Sequence, residues 1–203
     1  MQKYSKIVST GSYLPEKILT NKDLEGMVDT SHEWIIERTG IESRHIASEN
    51  ESSVDMAYNA SINAIKNAGI DSSNIDMIVV ATTTPERKFP STAVLLQNKL
   101  KNNKAFAFDL NAACTGFIYA LDIADTYIKS GFANSVLVVG TEKITSLLDW
   151  SDRNTCVLFG DGAGAVLLSS SRSPGILSNT IGSDGAYKDC LLYTSDAADD
   201  DHC

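Results

Sequence analysis

The sequence has few cysteines, and none stands in a metal-binding or disulfide pattern. The four lie at positions 114, 156, 190 and 203 with no C-x-x-C pair among them. No zinc site, no other metal and no disulfide framework is therefore expected. Long apolar runs are missing as well. Met1-Gln2-Lys3-Tyr4-Ser5-Lys6 leads into only a short apolar strand, without a signal-peptide segment or a stretch able to cross a bilayer. No membrane partner is expected, and the setting reads as reducing and cytoplasmic. Positive charge is also scarce, with 17 basic against 26 acidic residues. That balance argues against nonspecific nucleic-acid binding but leaves room for a local basic site facing a phosphorylated ligand. A phosphate loop is lacking too. Gly160-Asp161-Gly162-Ala163-Gly164 has no Lys-Ser/Thr behind it and opens no helix, so it reads as a tight strand connection. No short-period repeat is visible.

What is present is an alternation of strands and helices. At 203 residues the chain suits one or two domains with a substantial core. Residues 7–13 read as an opening strand, and Thr20 and Asn21 offer caps for a short helix through Leu24 and Met27. Thr30-Ser31-His32-Glu33 has capping-box form and starts a helix carrying Trp34, Ile35 and Arg38, which Gly40 stops. Residues 41–46 are short and extended. Ser52-Ser53-Val54-Asp55 repeats the capping box ahead of a helix that breaks at Gly69. Residues 76–82, 105–110 and 135–140 are strands, the first and last apolar enough to be covered on both faces. A helix follows Phe89-Pro90-Ser91 and ends near Leu100. Residues 155–159 and 163–169 read as two further strands. The pattern is that of a layered α/β fold. The last residues, 191–203, have no apolar period and end in an acidic cluster, and are read as a disordered or non-native tail behind a folded unit of residues 1–190.

The stretch that organises the chain is Phe106-Ala107-Phe108-Asp109-Leu110-Asn111-Ala112-Ala113-Cys114-Thr115-Gly116-Phe117. A strand ends in small residues, and a cysteine opens a long helix whose apolar face runs through Phe117, Leu121, Ala124 and Ile128 to a stop at Gly131. Unpaired N–H groups and the helix dipole at such a start favour a thiolate over a thiol. The same donors can hold the oxyanion formed when a thiolate attacks an acyl group. Small residues at 112, 113 and 116 would let a substrate approach closely. The competing reading is a buried cysteine packing as a small hydrophobe.

With Gly11-Ser12-Tyr13-Leu14-Pro15, Thr30-Ser31-His32-Glu33-Trp34-Ile35, Arg38-Thr39-Gly40-Ile41, Ala81-Thr82-Thr83-Thr84, Phe89-Pro90-Ser91, Asn111-Ala112-Ala113-Cys114-Thr115-Gly116-Phe117, Asp152-Arg153 and Phe159-Gly160-Asp161-Gly162-Ala163-Gly164-Ala165 in this order, the chain resembles β-ketoacyl-[acyl-carrier-protein] synthase III over residues 1–192. The resemblance implies the N-terminal half of a thiolase-like layered α/β fold, with a mixed sheet covered by helices. It implies acyl transfer from acetyl-CoA or another short acyl-CoA to Cys114, then decarboxylative Claisen condensation with malonyl-acyl carrier protein. No cofactor is implied beyond acyl-CoA as substrate. Carried over by motif, Trp34 would stack on the coenzyme A adenine with Arg153 on its other face. Arg38 would pair with a coenzyme A phosphate, and Thr30 and Asn154 would flank that mouth. Phe89 would reach across a homodimer interface into the partner's acyl pocket and limit acyl length, its alternative being ordinary core packing.

The family's second half would carry a catalytic histidine and asparagine and a further oxyanion-hole amide. His32, His45 and His202 stand in other contexts and receive no catalytic role. The 203-residue chain alone is thus expected not to complete the condensation, and the face meant for the second half is expected to be apolar and prone to association. The rival readings are another thiolase-fold acyl-CoA enzyme, such as a hydroxymethylglutaryl-CoA synthase, and a non-catalytic fragment that binds coenzyme A. For the first, no candidate catalytic glutamate stands out.

Overall fold

The computed structural model describes residues 3–187. The opening strand β1 (Tyr4–Tyr13) is followed by β2 (Lys17–Thr20), α1 (Asn21–Glu25), α2 (His32–Thr39) and β3 (Ser43–Ile46). Then come α3 (Ser53–Ala68), β4 (Met77–Ala81), α4 (Thr92–Lys99), β5 (Phe106–Leu110) and α5 (Gly116–Lys129). The chain continues with β6 (Ser135–Lys143), α6 (Arg153–Cys156) and β7 (Asp161–Ser171). The strands form a five-stranded sheet of order β1-β7-β6-β4-β5 and a two-stranded sheet of β2 and β3. β4 lies parallel to both β5 and β6, whereas β7 runs antiparallel to β6 and β1.

Both faces of the large sheet are covered, as the continuous apolar runs require. Along β4, Ile78 and Val80 point to one core with Leu137 and Val139 of β6. Met56, Ala57, Ala60 and Ala64 of α3 and Leu96 of α4 fill that side. Met77, Val79 and Ala81 point the other way, with Val136 and Val138, onto Ala120, Ala124 and Ile128 of α5. Gly11 shows why α3 packs so closely on β1: a Cβ there would collide with the Ala60 carbonyl and the Ala64 amide. A third, smaller core gathers Leu24, Ile35, Cys156 and Val157, with Trp34 packed against it. This satellite carries the candidate nucleotide site.

Several boundaries follow local chemistry. The Ser52 hydroxyl accepts from Asp55 N while the Asp55 side chain accepts from the Ser52 amide, the reciprocal box that the sequence predicts. Gly40 closes α2 with a left-handed φ of 68°, and Gly131 takes φ 80° just past α5. Three expectations are corrected. The cap of α2 is Ser31, which accepts from Trp34 N at 3.1 Å, and not Thr30 in a box with Glu33. Residues 155–159 are no strand. Asp152 caps a short helix there, accepting from Asn154 N and from the Thr155 hydroxyl, and the apolar side chains of Cys156 and Val157 fill the satellite core instead of a sheet. Asp161 and Gly162 do not connect two strands but begin β7 itself, paired with Lys143 and Glu142 of β6. The 191–203 tail, Cys190 and His202 lie outside the described residues.

Candidate active site

Cys114 sits in a tight 3-10 turn, Ala113–Thr115, that runs directly into α5, and it is exposed. The residue before it, Ala113, holds a φ of 46°, a left-handed conformation that non-glycine residues rarely adopt. No side chain caps either the turn or the first residues of α5. The Gly116 amide is taken by the Ala113 carbonyl, so what this start offers a thiolate or an oxyanion is the positive end of the helix with no side-chain acceptor competing for it. The small residues around the cysteine divide into two roles, which corrects the expectation that all of them face substrate. Ala113 is exposed, but Gly116 is buried, and a Cβ on it would meet the Ala81 Cβ at 3.3 Å. Likewise a Cβ on Gly140 would meet Phe117 at 3.3 Å. Glycine at these two points seats the start of α5 on the ends of β4 and β6. The other described cysteine is different in kind. Cys156 is fully buried, and burial pushes its thiol up, away from the reactive form.

The carboxyl ends of β5, β4 and β6 meet around this turn, the edge at which open α/β sheets bind ligands. Two carboxylates lock the segments that leave those strands. Asp109 accepts from Thr92 N at 2.8 Å and Ala93 N at 2.7 Å, capping α4. Glu142 accepts from Thr83 N at 2.8 Å and from the Thr83 and Thr84 hydroxyls at 3.1 and 2.5 Å. For Glu142 the sequence offers only the weak signal of an acidic residue near the end of an otherwise apolar strand.

At the satellite core the chain brings together residues far apart in sequence. The Arg38 guanidinium carbon lies 4.6 Å from the Trp34 ring centroid, and that of Arg153 lies 5.3 Å from it. Arg153 also donates to the Asp29 carbonyl at 2.9 Å. Next in the chain, the Thr30 hydroxyl is buried with no hydrogen-bond partner among the described residues. Asn154 is exposed at the start of α6. A half-buried indole with two guanidinium groups close to its ring gathers an aromatic surface and the positive charge that suits phosphates. Phe89 is 82% exposed, which rules out the core-packing alternative. The Nδ1 of His45 donates to the Pro15 carbonyl, and that of His32 lies 3.3 Å from the Asn21 amide, so both rings have local partners.

Comparison with known proteins places these features in context. A family model described as 3-oxoacyl-[acyl-carrier-protein (ACP)] synthase III matches residues 108–185, which include the Cys114 turn. The chain is 56% identical to the β-ketoacyl-[acyl-carrier-protein] synthase III of Xanthomonas oryzae over 93% of its own length and 58% of that protein. It is 56% identical to the same enzyme of Ehrlichia canis, over 95% of its own length and 61% of the relative. The solved 3-oxoacyl-[acyl-carrier-protein] synthase III of Aquifex aeolicus superposes with a TM-score of 0.82 at 55% identity, covering 83% of this chain and 55% of that one. The fold is thus the thiolase-like layered α/β arrangement expected from the sequence. The chain spans about three fifths of the length of these curated relatives.

Proposed function

We propose, for a chain whose sequence and fold are those of the N-terminal part of a β-ketoacyl-[acyl-carrier-protein] synthase III, that it carries the acyl-accepting machinery of a cytoplasmic enzyme initiating type II fatty acid synthesis. The Cys114 thiolate attacks the thioester carbonyl of acetyl-CoA or another short acyl-CoA. The α5 amides hold the oxyanion, the carbon–sulfur bond to coenzyme A breaks, and the acyl group stays on Cys114. Malonyl-acyl carrier protein then loses carbon dioxide, and the resulting carbanion takes the acyl group from Cys114, releasing the thiolate and a β-ketoacyl thioester. By the family resemblance, a histidine and an asparagine beyond the matched residues would assist that second step. Trp34, Arg38 and Arg153 would grip the coenzyme A nucleotide, with Thr30 and Asn154 at its mouth. Phe89 would enter the partner's pocket in a homodimer. No cofactor beyond the acyl-CoA substrate is proposed.

The observation that carries this reading is an exposed cysteine in the turn that feeds the uncapped start of α5. The test is incubation with radiolabelled acetyl-CoA, followed by denaturation and peptide mapping. One acetyl group on the Cys114 peptide, lost in Cys114→Ala, is the expected result. An unlabelled wild-type protein that still binds coenzyme A would sink the enzymatic reading in favour of a binding fragment.

A further inference from the structure

Phe89 belongs to an excursion, residues 85–90, in which every residue is exposed. Among the described residues its ion pair joins Glu86 to the neighbouring Arg87 and does not tie the loop to the rest of the fold. The direction in which Phe89 points must therefore be set where the loop leaves and re-enters the fold. At the exit, Glu142 gathers the Thr83 amide and the Thr83 and Thr84 hydroxyls. The Thr84 hydroxyl in turn accepts from Lys143 N at 2.8 Å, and the Thr84 carbonyl accepts from the buried Ser53 hydroxyl at 2.7 Å. At the return, Asp109 holds the Thr92 and Ala93 amides. Glu142 is the penultimate residue of β6 and Asp109 that of β5, the two strands flanking β4, from which the loop departs. Hydrogen bonds to ionised carboxylates in partly buried surroundings are stronger than neutral ones, and removing the acceptor strands several donors at once.

We propose that Glu142 is a positioning residue for acyl-chain selection. Together with Asp109 it forms a two-carboxylate frame that holds loop 85–90, and hence Phe89, in one orientation. The proposal rests on the role for Phe89 given above. Glu142 touches neither Cys114 nor substrate in this scheme; it acts through the Thr83–Thr84 exit of the loop. Loosening the frame lets Phe89 move aside, so that longer acyl groups fit while acetyl transfer persists.

The test uses the full-length protein and compares kcat/KM for acylation of Cys114 by acetyl-CoA and by octanoyl-CoA. Glu142→Ala is expected to raise the octanoyl-to-acetyl ratio by about tenfold, in line with the discrimination a hydrophobic pocket gains or loses over a few methylene groups. Glu142→Gln, which keeps a carbonyl acceptor for the Thr83 amide, should shift it less. Trypsin cleavage after Arg87 and Lys88 should quicken in Glu142→Ala and in Asp109→Asn. If Glu142→Ala does not fold, Glu142→Gln and Asp109→Asn carry both measurements. An unchanged ratio with unchanged loop cleavage in an acylatable protein overturns this proposal alone. A wild-type protein that is never acylated at Cys114 overturns the reading of the site and the selectivity role with it.

Discussion

Ala113 is the residue at which local strain and the candidate chemistry coincide. Its φ of 46° turns the chain so that Cys114 is presented at the surface ahead of α5. A left-handed alanine costs about 1–2 kcal/mol relative to its preferred conformations. Ala113→Gly should therefore raise the thermal midpoint while keeping the rate at which iodoacetamide alkylates Cys114. Ala113→Val, branched at a left-handed position, should lower both. Equal midpoints for all three proteins would show that the turn is not strained. Cys114 itself was legible in the sequence, because small residues between a strand and an amphipathic helix leave few places for a turn. The Trp34–Arg38 contact is an i, i+4 pair within α2, but that of Trp34 with Arg153 was not legible from spacing, since the two lie in helices that meet at the satellite core; the family resemblance alone brought them together. Glu142 escaped notice for a related reason: an acidic residue at a strand end reads as solvated surface until its acceptors are seen to be filled.

Helix starts and strand cores were the most legible elements. The Ser52–Asp55 box works because both its hydrogen bonds are local, so no distant residue needs to be known. The shift from Thr30 to Ser31 has the same origin: two adjacent hydroxyl residues can each cap, and the path of the chain between α1 and α2 selects the second. The misread segment 155–159 is rich in β-branched and large apolar residues, and there burial in the satellite core outweighs propensity. The α3 box makes a pH-dependent prediction. Burial alone would raise the Asp55 carboxyl, but hydrogen bonds from Lys99 and Ser52 outweigh it and hold the group below its usual range. A carboxylate depressed in the folded state contributes stability above its unfolded pKa, and that contribution is lost as pH falls through the lower folded value. The deficit of Asp55→Asn in urea unfolding should be full at neutral pH and shrink only in acid, below the ordinary carboxylate range. A deficit independent of pH would show that Asp55 acts through packing alone.

At the scale of the molecule, apolar surface remains uncovered. Phe132 is 71% exposed although it stacks edge-on against Phe106 and Tyr127, and Leu147 and Leu177 are 67% and 82% exposed. β5 ends the large sheet with one side unpaired among the described residues, and such an edge invites pairing with another chain. The 203-residue chain is expected to self-associate in sedimentation velocity, with the mean coefficient rising with concentration; a single monomer boundary at every concentration would contradict this. The sequence by itself determined the layered α/β class, the strands buried on both faces, the cap of α3, and the cysteine at the start of α5. Each of these rests on hydrogen bonds or side-chain periodicity within a few neighbouring residues. Only the tertiary structure decided that Gly11 and Gly116 serve close packing, that Asp161 opens a strand, and that Glu142 and Asp109 bracket the loop of Phe89. Those facts depend on which strands become neighbours in the sheet, and strand order is set by packing among residues distant in the chain.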